Sequence, residues 1–99
     1  MGAHLSDAAE IDLEEIGNFI AEDNPNRAQS FVLELVERCH GLVEFSQRYP
    51  VIVNRRGLEI RRCPHRDYLI LYAVSDGDLE IVRIVHSARD YLRLLFPDD

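Results

Sequence analysis

The residues of this chain best suited to chemistry lie in the segment 83–90, which reads Arg-Ile-Val-His-Ser-Ala-Arg-Asp. The apolar residues before it predict a strand, and four polar side chains follow where that strand ends: His86, Ser87, Arg89 and Asp90. Polar groups at a strand end stay solvated while the strand holds them in position, so such places often carry function. Histidine can take up and release a proton near neutral pH. His86 is therefore the first candidate for chemistry.

Charge divides the chain into an acidic and a basic part. The formal net charge is −7, and all 11 basic residues are arginine. Residues 1–45 contain ten acids and two arginines, whereas residues 46–66 contain six arginines and one acid. An acidic protein is repelled by nucleic acid at long range, although a local arginine cluster can still contact phosphate or carboxylate groups. Composition therefore disfavours direct nucleic-acid binding, and both charged runs fit solvated faces of the protein.

Two amphipathic helices are predicted in the first half of the chain. Ser6 can cap a helix over residues 7–22, and Asn24 with Pro25 can begin a second helix over residues 25–46. The first helix has an apolar stripe at helical spacing, formed by Ala9, Leu13, Ile16, Phe19 and Ile20. Because the connection is so short, the two helices must form an antiparallel hairpin.

The second half of the chain has the composition of a sheet. Residues 58–62 alternate between apolar and polar, and residues 68–74 and 79–85 are strongly β-forming. Asp76-Gly77 between the last two predicts a type I′ hairpin turn. Residues 51–53 fit either a short strand or an extended link, Leu5 fits a very short edge strand, and a final short helix is expected after Arg89, ending at Pro97.

These elements predict an α+β fold in a single domain over residues 1–99. In it, an N-terminal two-helix hairpin packs on a small antiparallel sheet of three to four strands, with a short C-terminal helix. No apolar run reaches the roughly 18 residues that span a bilayer, and no signal segment opens the chain, so we expect a cytoplasmic protein that does not contact membranes. Cys39 and Cys63 fall on different elements without metal-ligand spacing, so we expect reduced, buried thiols and neither metal nor cofactor.

Four segments of the chain, taken in order, match those of one known superfamily. Residues 5–16 (LSDAAEIDLEEI) resemble its first helix, and residues 20–25 (IAEDNP) the junction between its helices. Residues 66–72 (RDYLILY) resemble its central strand, and residues 85–90 (VHSARD) its last strand and exit. The chain thus resembles the ParE branch of the ParE/RelE toxin superfamily. The resemblance implies a bacterial toxin that an antitoxin encoded beside it binds and neutralises.

The two branches of this superfamily imply different targets. For ParE the resemblance implies DNA gyrase, inhibited by protein binding, with no catalytic residue. For RelE it implies messenger RNA on the ribosome, whose cleavage needs a base, cations for the phosphorane charge and an acid. The candidates for that reaction are His86 as base or acid, Arg61, Arg66 and Arg89 as cations, and Tyr91 as a donor. The absence of lysine, the acidic charge and the segment 85–90 favour ParE.

Antitoxin binding is expected in either branch. A ParD-like antitoxin would wrap the toxin with a segment that folds on binding, giving a hetero-oligomer. The candidates for contact with the antitoxin or the target are Arg61, Arg66, His86, Arg89, Asp90 and Tyr91. Because strand neighbours point to opposite faces, Arg61 and Arg62 cannot both face one partner. Either one of them lies at the edge of the helix layer, or the strand bulges near Pro64. A third alternative is a domain that binds an antitoxin without toxicity.

Overall fold

A helical hairpin and a five-stranded sheet form the two main layers of the fold. The computed structural model describes residues 2–97. In chain order, the elements are β1 (Ala3–Leu5), α1 (Asp7–Ala21), α2 (Pro25–Gly41), β2 (Val51–Arg55), β3 (Leu58–His65), β4 (Tyr68–Ser75), β5 (Asp78–His86) and α3 (Tyr91–Leu95). The predicted α+β architecture is therefore confirmed.

Side-chain caps fix the starts of both long helices. The Ser6 hydroxyl accepts a hydrogen bond from the Ala9 N–H at 3.0 Å, and the Asn24 side chain accepts one from the Arg27 N–H at 3.1 Å. Pro25 occupies the first turn of α2, where its missing N–H costs no hydrogen bond. Both starts agree with the sequence prediction.

The end of α2 differs from the prediction, because the helix stops at Gly41 and not at residue 46. Residues 42–47 continue as turns, and residues 48–49 form a bend. Side chains of the sheet bind carbonyl groups of this segment: the Tyr72 hydroxyl donates to the Ser46 carbonyl, and Arg61 donates to those of Gln47 and Tyr49. Those carbonyls are thereby held towards the sheet instead of continuing a helical ladder.

The sheet has the order β1-β5-β4-β3-β2, one strand more than the three to four predicted. Both uncertain segments form strands: β2 pairs antiparallel with β3, and β1 pairs parallel with β5. At Asp76-Gly77 the chain has φ values of 52° and 82°, which confirms the predicted type I′ turn. Strand β4 lies at the centre of the sheet.

Apolar residues cover both faces of β4, which accounts for its continuous apolar sequence. Ile70 and Tyr72 belong to the core beneath the helices, whereas Leu69 and Leu71 belong to a second cluster on the other face. Side chains of α3 and the following residue cover this second cluster: Tyr91, Leu94, Leu95 and Phe96. Phe19 differs from the prediction, since it is 68% exposed and lies outside the core.

Candidate functional site

A β-bulge in β5 forms the base of the candidate site. The pairing of β5 with β4 shifts after Ile81, which leaves Val82 without a partner on β4. A bulge interrupts the ladder, and the freed backbone groups need other partners. The Ser6 hydroxyl donates to the Val82 carbonyl at 2.8 Å, and the Ile84 N–H donates to the Asp12 carboxylate at 2.9 Å. The start of α1 is thus bonded directly to the bulge.

Asp12 also forms a two-point ion pair with Arg83. The Nε and Nη2 atoms of Arg83 donate to the two carboxylate oxygens at 2.7 Å and 2.9 Å. The Asp12 side chain is only 8% exposed. Its hydrogen bonds outweigh the effect of burial and raise the pKa of Arg83, so the guanidinium stays charged. Such paired hydrogen bonds fix orientation as well as distance, and they hold α1 against the last strand.

A groove of about 390 Å³ opens beside this ion pair, between α1 and the end of β5. We call it the α1–β5 groove. Glu15 and Phe19 line its helical side, and Tyr68, His86 and Arg89 line its sheet side. It combines an exposed aromatic ring, a carboxylate and a guanidinium in one concave surface. Aromatic and arginine side chains are the residues enriched where proteins bind one another.

His86 has a fixed orientation in this groove. Its ring meets Tyr68 edge-on, with ring centroids 5.4 Å apart. Its Nδ1 accepts a hydrogen bond from the Ala88 N–H at 3.1 Å, so the ring hydrogen of the neutral imidazole lies on Nε2. The Arg89 N–H in turn donates to the His86 carbonyl. These contacts shape the exit of β5.

Arg66 lies at the same end of the sheet as His86. It occupies the turn between β3 and β4, and the next residue but one, Tyr68, pairs with His86 across the strands. Its φ is 56°, and its side chain is 66% exposed. The Nε atom lies 4.0 Å from a carboxylate oxygen of Glu34 on α2. The structure therefore brings Arg66, His86 and Arg89 to one end of the sheet.

Glu34 connects α2 to this end of the sheet. It binds Arg27 and lies 3.3 Å from the Nε2 of His65. The hydrogen bond from Arg27 is the main reason that the pKa of Glu34 is lowered. The Phe31 ring packs at 5.7 Å from both His65 and Tyr68, which continues the aromatic contacts as far as His86.

The other candidates lie elsewhere. Arg61 is on the helical side of the sheet, where its Nη1 donates to the Tyr49 carbonyl at 2.6 Å, as expected if one arginine of that pair lies at the edge of the helix layer. Tyr91 packs into the second cluster on the opposite face. Asp90 caps α3, and its carboxylate accepts a hydrogen bond from the Arg93 N–H at 3.4 Å. The six candidates therefore do not form a single site.

Neither cysteine takes part in this surface. Cys39 and Cys63 are unpaired and fully buried, and burial raises the pKa of Cys39 to about 12. Within residues 2–97, no group of three or more His, Cys, Asp or Glu side chains is arranged to hold a metal ion. No helix in that part of the chain has the length and hydropathy needed to cross a membrane.

Comparison with known proteins identifies the family. The sequence profile of the ParE toxin of type II toxin–antitoxin systems, parDE, matches residues 3–91. The chain belongs to the ParE toxin family. A solved structure described as the chromosomal ParDE TA system from P. aeruginosa aligns with a TM-score of 0.70 at 19% identity, covering 87% of this chain and 95% of that chain. At that identity the likeness shows a shared fold. No curated protein sequence matches this chain.

The ParE match includes the bulge, the ion pair and the α1–β5 groove. It ends at Tyr91, the first residue of α3, so most of that helix lies beyond the matched segment. Leu94, Leu95 and Phe96, which cover the second cluster, therefore lie outside the segment that matches the ParE family.

Sequence reasoning missed the Asp12–Arg83 pair, although a signal for it was present. Asp12 follows Ala9 by three residues and precedes Ile16 by four, so it lies on the apolar stripe of α1. Arg83 likewise interrupts an apolar strand. A charge on a buried face needs a partner, so each residue indicated the other.

Proposed function

We propose that this ParE-family toxin acts by binding DNA gyrase in the cytoplasm, without a catalytic step, and is neutralised by a ParD-like antitoxin. The match to the ParE toxin over residues 3–91 is the observation that carries this proposal. The scattering of the candidate catalytic residues supports it. Arg61 is held by backbone carbonyls on one face of the sheet, and Tyr91 packs on the other. General acid–base catalysis needs its groups within hydrogen-bonding reach of one substrate.

The α1–β5 groove is the surface that we assign to the antitoxin. It presents Phe19, Tyr68 and His86 as rings and Arg89 as a cation, so an antitoxin segment with an apolar side chain and a carboxylate would fit it. Arg66, at the same end of the sheet, extends the cationic part of this surface. The complex is a hetero-oligomer of toxin and antitoxin.

A supercoiling assay with purified gyrase tests the target. We expect the toxin to inhibit supercoiling and the purified antitoxin to restore it. Intact activity at large toxin excess would count against gyrase as the target. If the chain, expressed alone as folded protein, also leaves bacterial growth unchanged, the non-toxic antitoxin-binding alternative is favoured.

Antitoxin binding is measured separately by titration calorimetry. His86→Ala with Arg89→Ala should weaken it about 10-fold or more, since the variant removes a ring and a charge from a binding surface. Arg62→Ala, an exposed arginine on β3, is the matched control and should change affinity less than about 2-fold. Equal affinities for the wild type and the double variant would remove the groove from the interface.

A RelE-like ribonuclease remains the second candidate, because His86, Arg66 and Arg89 do share one end of the sheet. In that case, translating ribosomes incubated with the toxin would yield cut transcripts, and His86→Ala would abolish the cuts. Intact transcripts under conditions in which gyrase is inhibited would exclude this alternative.

A further inference from the structure

A second groove, of about 600 Å³, runs between the two helices of the hairpin. We call it the inter-helix groove. Its lining comes almost wholly from α2 and carries no charge: Gly17, Pro25, Asn26, Ala28, Gln29, Val32 and Leu33. It shares no residue with the α1–β5 groove. The two grooves lie on opposite sides of α1, because Gly17 and Phe19 are about 160° apart around the helix axis.

The inter-helix groove has an apolar floor and an exposed apolar wall. A Cβ at Gly17 would lie 3.2 Å from Cγ2 of Val32, so the backbone of α1 closes the floor against that side chain. Leu33 is 61% exposed and forms the wall. A single exposed leucine is ordinary on a protein surface, but this one borders a concave, uncharged surface. Apolar side chains of a partner can therefore cover both Val32 and Leu33.

Carboxylates border one end of this groove. Glu14 and Glu10 precede Gly17 by three and seven residues, so they lie on the same side of α1. Glu37 follows Leu33 by four residues and so lies on the same side of α2. All three carboxylates are exposed. Because the helices run antiparallel, the start of α1 lies beside the end of α2, which brings the three to one end.

The arginines of the hairpin are directed away from this groove. Helix α1 contains no basic residue, and α2 contains two arginines and one histidine. Arg27 binds Glu34, and Arg38 donates to the Tyr49 hydroxyl at 2.9 Å. Both contacts lie on the side of α2 opposite to α1. His40 is thus the one basic residue of the hairpin that borders the groove, and the carboxylates outnumber it.

We propose that the inter-helix groove binds a cationic amphipathic helix of another protein. A helix fits because the walls are two helices whose backbone groups are already paired, and a third helix can bury its apolar stripe on both. Its apolar side chains cover Val32 and Leu33, and its lysines or arginines pair with Glu14 and Glu37. Charge complementarity selects this occupant, because the carboxylates repel an acidic helix and gain no partner from a neutral one. A symmetric pairing with a second copy would bring like charges together.

The experiment measures binding of a labelled helical peptide of about 18 residues, with leucines on one face and lysines on the other, by fluorescence anisotropy. Leu33→Ser should weaken binding about 10-fold, since an apolar contact at the centre of the interface is lost. Leu58→Ser is the matched control. Leu58 is 45% exposed but lies beside Arg55 and Arg56, so its loss should change the affinity less than about 2-fold.

A second pair of variants tests the charges. Glu14→Gln with Glu37→Gln should weaken binding about 10-fold and lower its dependence on salt. Glu59→Gln with Glu80→Gln removes the same number of charges from exposed positions on β3 and β5, and should change the affinity less than about 2-fold. Because both variants have the same net charge, the difference between them measures where the carboxylates lie. The same peptide with glutamate in place of lysine should not bind.

Several outcomes would overturn this proposal. They are no binding to the folded wild type, equal losses in Leu33→Ser and Leu58→Ser, or equal losses in the two double-glutamine variants. A concentration-dependent dimer that Leu33→Ser abolishes would instead identify a second copy as the occupant. Circular dichroism checks that each variant is folded. Because neither gyrase nor antitoxin enters the measurement, its result does not depend on the proposed function.

Discussion

At the scale of single residues, Asp12 stands out because its side chain accepts three hydrogen bonds from strand β5. One carboxylate accepts two hydrogen bonds from the Arg83 side chain and one from the Ile84 backbone. Buried ion pairs often add little net stability, because desolvation offsets their attraction. Removing one partner is nevertheless costly, since the other charge is left shielded and unpaired. The pair therefore matters most for fixing the position of α1 relative to β5.

Asp12→Asn should destabilise the protein by about 3 kcal/mol, near the lower bound for a broken buried pair because Arg83 keeps some access to water. The amide oxygen can still accept from the Ile84 N–H, but the amide nitrogen cannot accept from Nη2 of Arg83, so the variant loses the charge and one hydrogen bond. Chemical denaturation measures the change, with Glu10→Gln on the exposed side of α1 as the control. A loss no larger than that of the control would contradict the role assigned to this pair.

Glu34 gives a prediction about pH. The pKa of Glu34 is lowered below 4.5 in the folded protein, chiefly by its hydrogen bond from Arg27. A group with a depressed folded pKa contributes stability that is present above the unfolded value and lost as the pH falls through the folded value. Wild-type stability should therefore decline below about pH 4.5, and Glu34→Gln should flatten part of that decline. If the stability of the wild type and of Glu34→Gln fell equally with decreasing pH, the Glu34 carboxylate would not contribute to stability in this way.

At the scale of elements, the sequence predicted most of the fold. Capping residues, apolar periodicity and the Asp76-Gly77 turn located both helices and the last hairpin, because each depends on local chemistry. The end of α2 was placed too late, since tertiary hydrogen bonds from Tyr72 and Arg61 decide it. Similarly, the turn at Arg66 uses a positive φ on a residue that gives no such signal in the sequence.

The candidate site was less predictable, and for a related reason. His86 and Arg89 could be placed at a strand exit from local pattern alone. Glu15 and Phe19, which line the same groove, come from α1. The distance between the two sides of the groove depends on how the bulge orients β5. No local signal in the sequence located that bulge, so the groove could not be assembled from it.

The close approach of α1 and α2 at Gly17 leads to a prediction about how the helices pack. A Cβ at this position would lie 3.2 Å from Cγ2 of Val32, whereas one at Gly41 would meet nothing within 4 Å. Gly17→Leu should therefore destabilise the protein by about 1–3 kcal/mol through overpacking. Gly41→Leu is the control and should be neutral or slightly stabilising. Thermal unfolding compares them, and equal melting temperatures would show that the helices separate at little cost.

Helix α3 should depend on its cap. Asp90→Ala removes the acceptor for the Arg93 N–H and should cost about 1 kcal/mol of local stability. Because α3 covers Leu69 and Leu71, hydrogen exchange should become faster in α3 and in the strands beneath it. Asp90→Asn keeps an acceptor oxygen and should restore most of the protection. Unchanged exchange in Asp90→Ala would mean that packing alone holds α3.

At the scale of the whole molecule, both thiols lie in the core between the helices and the sheet. Cys39 and Cys63 are each fully buried, one on α2 and one on β3. A thiol reagent should therefore not react with the native protein on the timescale of minutes, and should label both thiols in denaturant. The native labelling rate then reports opening of the core. Rapid labelling without denaturant would show that the two layers separate readily.

The bulge at Val82 also shifts the alternation of side chains along β5 by one residue. Leu79 and Ile81 point towards the helices before it, and Ile84 does so after it, although an unbroken strand would turn Ile84 to the other face. Deleting Val82 would join Ile81 to Arg83, which already pair with the adjacent residues Tyr72 and Leu71, so the ladder would become regular and Ile84 and His86 would keep their present faces. Such a deletion would remove the Val82 carbonyl that accepts the hydrogen bond from the Ser6 hydroxyl, and with it one link between α1 and β5.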